Sequence, residues 1–320
     1  MFSCAQRMTH LASQTSPHAS QSGNPGIRGL GEYAGACRQA GQRLILCGTS
    51  WWREVRPCFF RPLLPFVDVP SGATGLPWRA LLGGSQYAVS QADPRANSWL
   101  SYLAFERAQG YNIHCLNPRL RSYVRAAEKR FVIKPLGRGE FKELAHPIYV
   151  EFYERTGYGY LAKRVNRIHF EGWADAEFSD GGLVGLGAWE AGSLVAASLS
   201  RVVGEAWVYS SFFATNNAIR GQVANLMLHH ARCLAAAVDG VSMVYVGMRK
   251  SGEARSVDAF YMHRGALPVR RPAILTVNPL VEWTMRRFRP SLWQHIEGHA
   301  EAQGASADAG RPEASVQKTR

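Results

Sequence analysis

The sequence predicts an α/β (α+β) domain with a mixed, mostly antiparallel central sheet and helices on both faces, preceded by a poorly ordered N-terminal region. Two observations predict this class. Three β-rich runs follow one another with only short turns between them, which is typical of antiparallel neighbours. A strongly helical segment and then a strand-helix-strand succession follow, and helices that alternate with strands cover the faces of a sheet.

Composition bounds the class of protein. The chain has 320 residues, 46% of them apolar, so it can bury a core and is neither disordered throughout nor collagen-like. Its 37 basic and 24 acidic residues give a net charge of +13, which attracts phosphates, acidic cofactors, nucleic acid or anionic lipid. No apolar run approaches the roughly 20 residues of a membrane-spanning helix, so we expect no integral membrane association.

The cysteines and the composition of residues 1–53 indicate the cellular location of the protein. The 6 cysteines form no CxxC pair and no metal-ligand spacing with histidine, so we expect neither a disulfide framework nor a metal site, and a reducing, cytoplasmic location. Residues 1–53 carry five arginines against a single acid, Glu32. This composition fits an organelle transit peptide or an extension from a start codon placed too far upstream, and the Ala-Arg-Gly bias favours the second interpretation.

Four zones follow from composition along the chain. Residues 1–56 are predicted to be a disordered or non-native extension, because they are rich in Gly, Ser and Gln without a sustained period. Residues 57–97 are interpreted as accessory strands and loops, since prolines and glycines interrupt them. Residues 98–297 form the ordered domain, and residues 298–320 form a disordered tail.

Each element of the domain has a local signal. Asn117-Pro118 begins a basic helix, since proline in the first turn loses no hydrogen bond. Apolar residues at helical spacing predict the other helices, β-rich composition predicts the strands, and Gly265 is expected to end the last helix in the left-handed conformation. The predicted elements are a strand at 130–136, helices at 140–155 and 163–178, strands at 183–190, 194–203 and 206–214, a helix at 221–238, a strand at 242–247, a helix at 256–264 and a strand at 273–277.

Two segments of this succession resemble the GNAT acyltransferase superfamily. One is the strand-to-helix junction that runs from Tyr209 through Phe213 and Ala214 to Arg220-Gly221-Gln222. The other is the late helix at 259–266, in which an aromatic pair, Phe260-Tyr261, precedes a glycine. The resemblance covers about residues 98–280 and implies a GNAT-like sheet.

A third segment is similar to the FemAB-like branch of that superfamily. It runs from Trp99 through the Arg-rich helix to Arg155-Thr156-Gly157-Tyr158. At the start of the central helix, however, Val223 and Asn225 fill two positions that the superfamily gives to small residues. Small residues there let backbone N–H groups approach a pyrophosphate at the helix N-terminus. The departure weighs against acyl-CoA as donor, and some FemAB-like proteins use aminoacyl-tRNA instead.

The resemblance implies an N-acyltransferase that moves an acyl group from a carrier thioester, acyl-CoA or acetyl-CoA, to a small-molecule amine. It implies that Arg220, Gly221 and Gln222 hold the carrier phosphates. The backbone near Phe213–Ala214 would polarise the thioester carbonyl, because charge builds up on that oxygen during acyl transfer. Tyr261 would protonate the departing thiolate, which a phenol with an ordinary pKa near 10 can do.

The remaining assignments stay open. Glu190, at the end of a strand, is the candidate carboxylate for amine deprotonation, although the sequence singles out no base clearly. One alternative replaces CoA by aminoacyl-tRNA, with tRNA bound through the basic helix. A second alternative is a catalytically silent acyltransferase-like module that binds a partner. The acceptor and the oligomeric state are not predicted.

Overall fold

The computed structural model describes residues 29–69, 75–157, 159–179, 181–249 and 255–298. Most of the predicted N-terminal extension, residues 1–28, and the predicted tail beyond Gly298 lie outside the described residues. The chain divides into two compact units rather than one domain over 98–297. Unit 1 contains Met1–Arg43, Tyr102–Arg249 and Ser256–Pro268, and unit 2 contains Leu44–Ser101, Lys250–Arg255 and Val269–Arg320.

The elements of both units follow in chain order. The first half contains α1 (Leu30–Gln39), β1 (Leu44–Cys47), β2 (Ser50–Arg56), β3 (Phe59–Pro62), β4 (Gly84–Ala88), β5 (Ser98–Glu106), α2 (Pro118–Glu128), β6 (Val132–Pro135) and α3 (Arg138–Thr156). The second half contains α4 (Arg167–Glu177), β7 (Leu183–Glu190), β8 (Ser193–Val203), β9 (Ala206–Ala214), α5 (Asn216–Arg220), α6 (Val223–Ala236), β10 (Met243–Met248), α7 (Arg255–Met262), β11 (Leu267–Val277), α8 (Pro279–Phe288) and α9 (Pro290–Glu297).

The strands of unit 1 lie in the order β5-β10-β9-β8-β7-β6. Only β9 and β10 pair in parallel, and the other neighbours are antiparallel. Ala191 and Gly192 form the tight turn between β7 and β8, with φ of 48° and 85°, as favoured two-residue hairpin turns require. The predicted mixed, mostly antiparallel sheet is confirmed, and the predicted strands at 183–190, 194–203 and 206–214 agree with β7, β8 and β9 to within one residue.

Helices cover both faces of this sheet, as predicted. Successive residues of a strand point to opposite faces. Ala196 and Ala214 face one cluster, which contains buried residues of α2 and α6. Their neighbours Ala197 and Phe213 face the other cluster, which contains buried residues of α3 and α4. A separate layer of helices therefore packs on each face of the paired strands β8 and β9.

Two features of unit 1 differ from the prediction. The helix predicted over 221–238 corresponds to α6, which begins at Val223, and a short unpredicted helix, α5, precedes it; the two are separated at Gln222, whose φ is 68°. The strand β5 is missing from the prediction because its residues are buried at nearly every position instead of alternating. A short, fully buried strand cannot be recognised by its period alone. Gly265 has a φ of 91°, which confirms the predicted left-handed helix end.

Unit 2 orders its strands β1-β2-β3-β4-β11. The sequence predicted disorder up to residue 56, whereas α1, β1 and β2 lie within that stretch. Burial of an aromatic side chain explains β2: Trp52 is completely buried and meets Tyr87 edge to face, with ring centroids 5.6 Å apart. Gly48, with a φ of 58°, makes the turn between β1 and β2.

An aromatic cluster holds α3 and α4 against the sheet of unit 1. Phe141 is fully buried at its centre and stacks on Phe170, with ring centroids 5.4 Å apart. It also contacts Trp173, Phe178 and Phe213 at centroid distances of 5.3 to 5.9 Å. Aromatic pairs in such geometry contribute beyond the area that they bury. Phe141 therefore joins two helices to β9.

Replacing Phe141 by alanine is expected to lower the free energy of unfolding by about 3–5 kcal/mol, because it removes the central ring and leaves a cavity. Urea denaturation followed by circular dichroism measures the change. Ile168→Ala is the matched control on α4, since the Ile168 side chain is 77% exposed, and it is expected to shift stability by less than about 0.5 kcal/mol. Equal losses in the two variants would contradict the assignment of this core.

Candidate functional site

The parallel strands β9 and β10 separate after a short contact. They pair only from Met243 with Ala206 to Tyr245 with Val208, and β9 then continues to Ala214. The pairing of β10 with β5 has an irregularity between Tyr245 and Gly247, at the same level. In the described residues, β9 has no strand partner on this side beyond Val208. We call this side of β9, from Tyr209 to Ala214, the open edge.

The register of β9 shows which backbone groups lie on the open edge. The Thr215 N–H donates to the Val195 carbonyl on the β8 side at 3.0 Å. Backbone groups alternate between the two edges of a strand, so Phe213 also faces β8, where it lies opposite Ala197. Ala214 then presents its N–H and carbonyl to the open edge. Of the predicted pair Phe213 and Ala214, Ala214 is the residue whose amide lies there.

Helix α3 fixes the end of the open edge. One Arg155 nitrogen, Nη2, donates to the Ala214 carbonyl at 3.2 Å, and the other, Nη1, donates to Asn216 Oδ1 at 2.6 Å. The Asn216 N–H donates in turn to Glu151 Oε1 at 2.6 Å. Partial burial lowers the pKa of Arg155, and the nearby Glu151 charge opposes that shift. Two charged side chains on one face of α3 therefore hold the junction between β9 and α5.

The residues between α5 and α6 pack closely against the segment before β6. A Cβ on Gly221 would lie 2.6 Å from Arg130 Nη1 and 2.8 Å from the Phe131 ring, so a side chain has no room. Val223, the first residue of α6, is completely buried. Gln222 Oε1 accepts a hydrogen bond from Asn225 Nδ2 at 2.6 Å. The structure thus places Gly221 and Gln222 at the amino end of α6, with the Arg130 side chain lying against Gly221.

Arg220 is the exposed cation of this region. It is the last residue of α5 and its side chain is exposed to solvent. It directly precedes Gly221 and the amino end of α6, where the helix dipole also favours negative charge. The predicted phosphate-binding residues Arg220, Gly221 and Gln222, which are consecutive in the chain, lie where α5 ends and α6 begins.

Glu190 forms a two-point ion pair with Arg130. Arg130 Nε contacts Glu190 Oε1, and Arg130 Nη2 donates to Glu190 Oε2 at 3.1 Å. These bonds lower the pKa of the Glu190 carboxyl, although partial desolvation opposes the shift. The Arg130 guanidinium also lies 4.9 Å from the centre of the Phe131 ring. Glu190 therefore holds Arg130 against Gly221, and its role as a base stays a prediction that the low pKa does not favour.

Tyr261 lies beside the start of the open edge. It packs in the cluster that contains Tyr209, and its ring meets Phe260 edge to face at 5.1 Å. Burial raises the pKa of Tyr261, and the nearby Arg264 guanidinium lowers it by less. Burial also raises the pKa of Tyr209. Tyr261 is thus a protonated phenol at neutral pH, close to the residue at which β9 leaves β10.

Arg264 is a site residue that the sequence did not reveal. Its Nε donates to Asn225 Oδ1 at 2.6 Å, and its guanidinium stacks on the Phe260 ring at 3.5 Å. Desolvation by burial lowers its pKa to about 10. Asn225 therefore connects the first turn of α6 to the end of α7. A contact across 39 residues of sequence leaves no local signal.

A small cavity lies between α2 and α6. It has room for about one water molecule, about 10 Å³, and its lining includes Tyr111, Asn225, His229, Arg232 and Arg264. The His229 ring and the Tyr111 hydroxyl form a hydrogen bond of 3.0 Å across it.

Among the described residues, no group of three or more His, Cys, Asp and Glu side chains is arranged to hold a metal ion. Nor does any helix in those ranges have the length and apolar character to span a membrane.

Comparison with known proteins gives only structural similarity. No family model and no curated protein matches the chain. Solved structures similar to it include FemX, at 14% identity over 59% of this chain and 63% of that one, with a TM-score of 0.42. The chain therefore spans less than two thirds of FemX. Others are L-PGS from Bacillus licheniformis, at 8% identity over 82% and 91% of the two chains with a TM-score of 0.47, and a GCN5-related N-acetyltransferase from Kribbella flavida, at 13% over 78% and 93% with a TM-score of 0.42.

Glu190→Gln is expected to destabilise the protein at neutral pH but not in acid. The folded-state pKa of Glu190 is lowered, so the ionised carboxylate stabilises the fold above the ordinary pKa of about 4.3, and this contribution is lost as the pH falls through the folded-state value. Urea denaturation of both proteins at several pH values measures the difference. Glu128→Gln, at an exposed position on α2, is the control, and a difference independent of pH would contradict the ion pair.

Proposed function

We propose that the protein is an N-acyltransferase that moves an acyl group from a carrier thioester, acyl-CoA, to a small-molecule amine. The observation that carries the proposal is the separation of β9 from β10 after Val208, which leaves the Ala214 N–H on an open edge. Negative charge develops on the carbonyl oxygen when an amine attacks a thioester, and a fixed N–H donor stabilises that charge. The contacts of Arg155 and Glu151 with the junction support a preorganised donor.

The connection after β9 supports the binding of carrier phosphates. Arg220 supplies an exposed guanidinium, and Gly221 and Gln222 lead into the amino end of α6. A cation beside a helix N-terminus suits a phosphate group. In this proposal the carrier phosphates lie at Arg220, and the thioester lies along the open edge.

Tyr261 would complete the transfer. The amine nitrogen attacks the carbonyl carbon, the carbon–sulfur bond breaks, and the sulfur leaves as a thiolate. The raised pKa of Tyr261 keeps the phenol protonated, so its O–H would donate a hydrogen bond to the departing sulfur and stabilise the negative charge there. The thiolate takes its proton from solvent, because a thiol with an ordinary pKa near 8.5 is a stronger acid than this phenol. The amine proton passes to solvent, because Glu190 is held in its ion pair with Arg130 and is a weak base at neutral pH.

A second candidate donor is aminoacyl-tRNA. Buried Val223 and the contact of Gly221 with Arg130 and Phe131 cover the backbone of the first turn of α6, where a diphosphate would approach. The exposed basic residues of α2, Arg119 and Arg125, are positioned for contact with a polyanion. The chemistry at the open edge would be the same, with an ester in place of the thioester.

Donor binding distinguishes these proposals. Isothermal titration calorimetry with acetyl-CoA and with a longer acyl-CoA is expected to show binding, and Arg220→Ala is expected to weaken it about ten-fold, as loss of one charged hydrogen bond predicts. Arg125→Ala, an exposed arginine on α2, is the control and leaves CoA binding unchanged. For tRNA, Arg125→Ala instead reduces the salt dependence of binding by about one unit of the log–log slope. Absence of binding and of thermal stabilisation with every donor would favour the silent module.

Tyr261→Phe is expected to lower kcat about 100-fold and to leave KM nearly unchanged, because it removes only the hydroxyl that would donate to the departing sulfur. Steady-state kinetics with the donor found by calorimetry measures both constants. Tyr153→Phe, at a partly buried tyrosine of α3, is the matched control. Full activity of the Tyr261 variant would remove this hydrogen-bond donor from the proposal and leave the open edge as its basis.

A further inference from the structure

Unit 2 exposes an unusual group of large apolar side chains. Trp78, Leu81 and Leu82 are 72%, 75% and 55% exposed, and Leu280, Trp283 and Phe288 are 70%, 61% and 64% exposed. We call these six residues the apolar patch. Single exposed apolar residues are ordinary on protein surfaces, but a group of them close together is typical of a site that binds another protein or a membrane.

Hydrogen bonds show that the two halves of the patch adjoin. Asn278 caps α8 by accepting the Leu280 N–H at 3.0 Å. The same Asn278 side chain donates to the Leu81 carbonyl at 3.0 Å, and its N–H donates to the Gly83 carbonyl at 3.0 Å. The first turn of α8 therefore starts against the 3-10 helix at Trp78–Leu81, and the two exposed sets lie on adjoining segments.

Helix α8 presents its apolar residues on one side. Residues three, four, seven and eight positions apart lie along one face of a helix, so Leu280, Trp283, Thr284, Arg287 and Phe288 share the solvent face. The rings of Trp283 and Phe288 meet edge to face at 6.1 Å. At about 1.5 Å per residue this 10-residue helix is about 15 Å long. That is half the thickness of a hydrocarbon core, so α8 would lie along a bilayer and not across it.

The charges around the patch are positive. Arg287 and Arg289 are exposed at the end of α8. Two acids, Glu282 of α8 and Glu297 of α9, both pair with Arg286, at 2.8 and 3.2 Å from its Nη2. With Arg287 and Arg289 counted, this end of α8 carries three arginines against two acids. The whole chain carries a net charge of +13. Leucine and aromatic side chains bordered by arginine are the composition of helices that lie in the interface of an anionic membrane.

We propose that the apolar patch, together with Arg287 and Arg289, docks unit 2 on the surface of an anionic lipid bilayer. The aromatic and leucine side chains would enter the headgroup region, and the arginines would contact lipid phosphates. This inference does not depend on the acyl-transfer proposal, because its residues all belong to unit 2 and none of the candidate site residues does.

Co-sedimentation of the full chain with vesicles tests the proposal. The protein is expected to bind vesicles of phosphatidylserine and phosphatidylcholine in equal parts, and to bind phosphatidylcholine vesicles more weakly, with the difference reduced by salt. The double variant Leu280→Ala/Trp283→Ala is expected to lower the partition coefficient at least ten-fold. Ile168→Ala, which removes a 77% exposed side chain of unit 1, is the matched control and leaves binding unchanged.

A charge variant keeps the test decisive if the apolar variant folds poorly. Arg287→Gln is expected to lower binding to the anionic vesicles about five-fold and to leave binding to phosphatidylcholine unchanged, whereas Arg125→Gln changes neither. Wild-type protein that binds neither kind of vesicle would overturn the proposal. A dimer in light scattering that the Leu280/Trp283 variant dissociates, without vesicle binding by the wild type, would overturn it in favour of a second copy of the chain as the occupant.

Discussion

The candidate site depends on one constraint, the short parallel contact between β9 and β10. A strand that leaves its neighbour exposes backbone N–H and carbonyl groups, and such groups are unfavourable unless something satisfies them. Arg155 supplies two donors at this point, one of them to the Ala214 carbonyl. On the opposite side, β8 remains paired with β9 to Ala214. The strand is therefore open on one edge only, and it is held rigidly on the other.

Arginine side chains organise the surroundings of this edge. Arg130 links Glu190 to Gly221, Arg155 links α3 to the junction after β9, and Arg264 links α7 to Asn225. A guanidinium has several donors in a fixed plane, so one side chain can bond to two elements at once. The basic composition of the chain is thus partly structural, and net charge alone does not identify a nucleic-acid surface.

Local signals in the sequence predicted the local part of the fold. The strands β7, β8 and β9 are joined by two tight turns, and adjacent residues specify each turn and each strand. The strand β5 was not predicted, because burial on both faces removes the alternation of apolar and polar residues by which a strand is recognised. The contacts that form the candidate site were not predicted for a different reason. Arg130 and Glu190 are 60 residues apart, and Arg155 and Ala214 are 59 apart, so no spacing in a single sequence relates them.

The absence of space at Gly221 limits how the site can evolve. Any larger residue there would push Arg130 away from Glu190 and shift Phe131, because the Cβ alone would fall within 3 Å of both. In the proposed site, substitutions are therefore expected to be tolerated at Arg220 or Gln222, which have solvent on one side, but not at the glycine between them. Natural variation within a lineage of such proteins should concentrate on the flanks of an invariant centre.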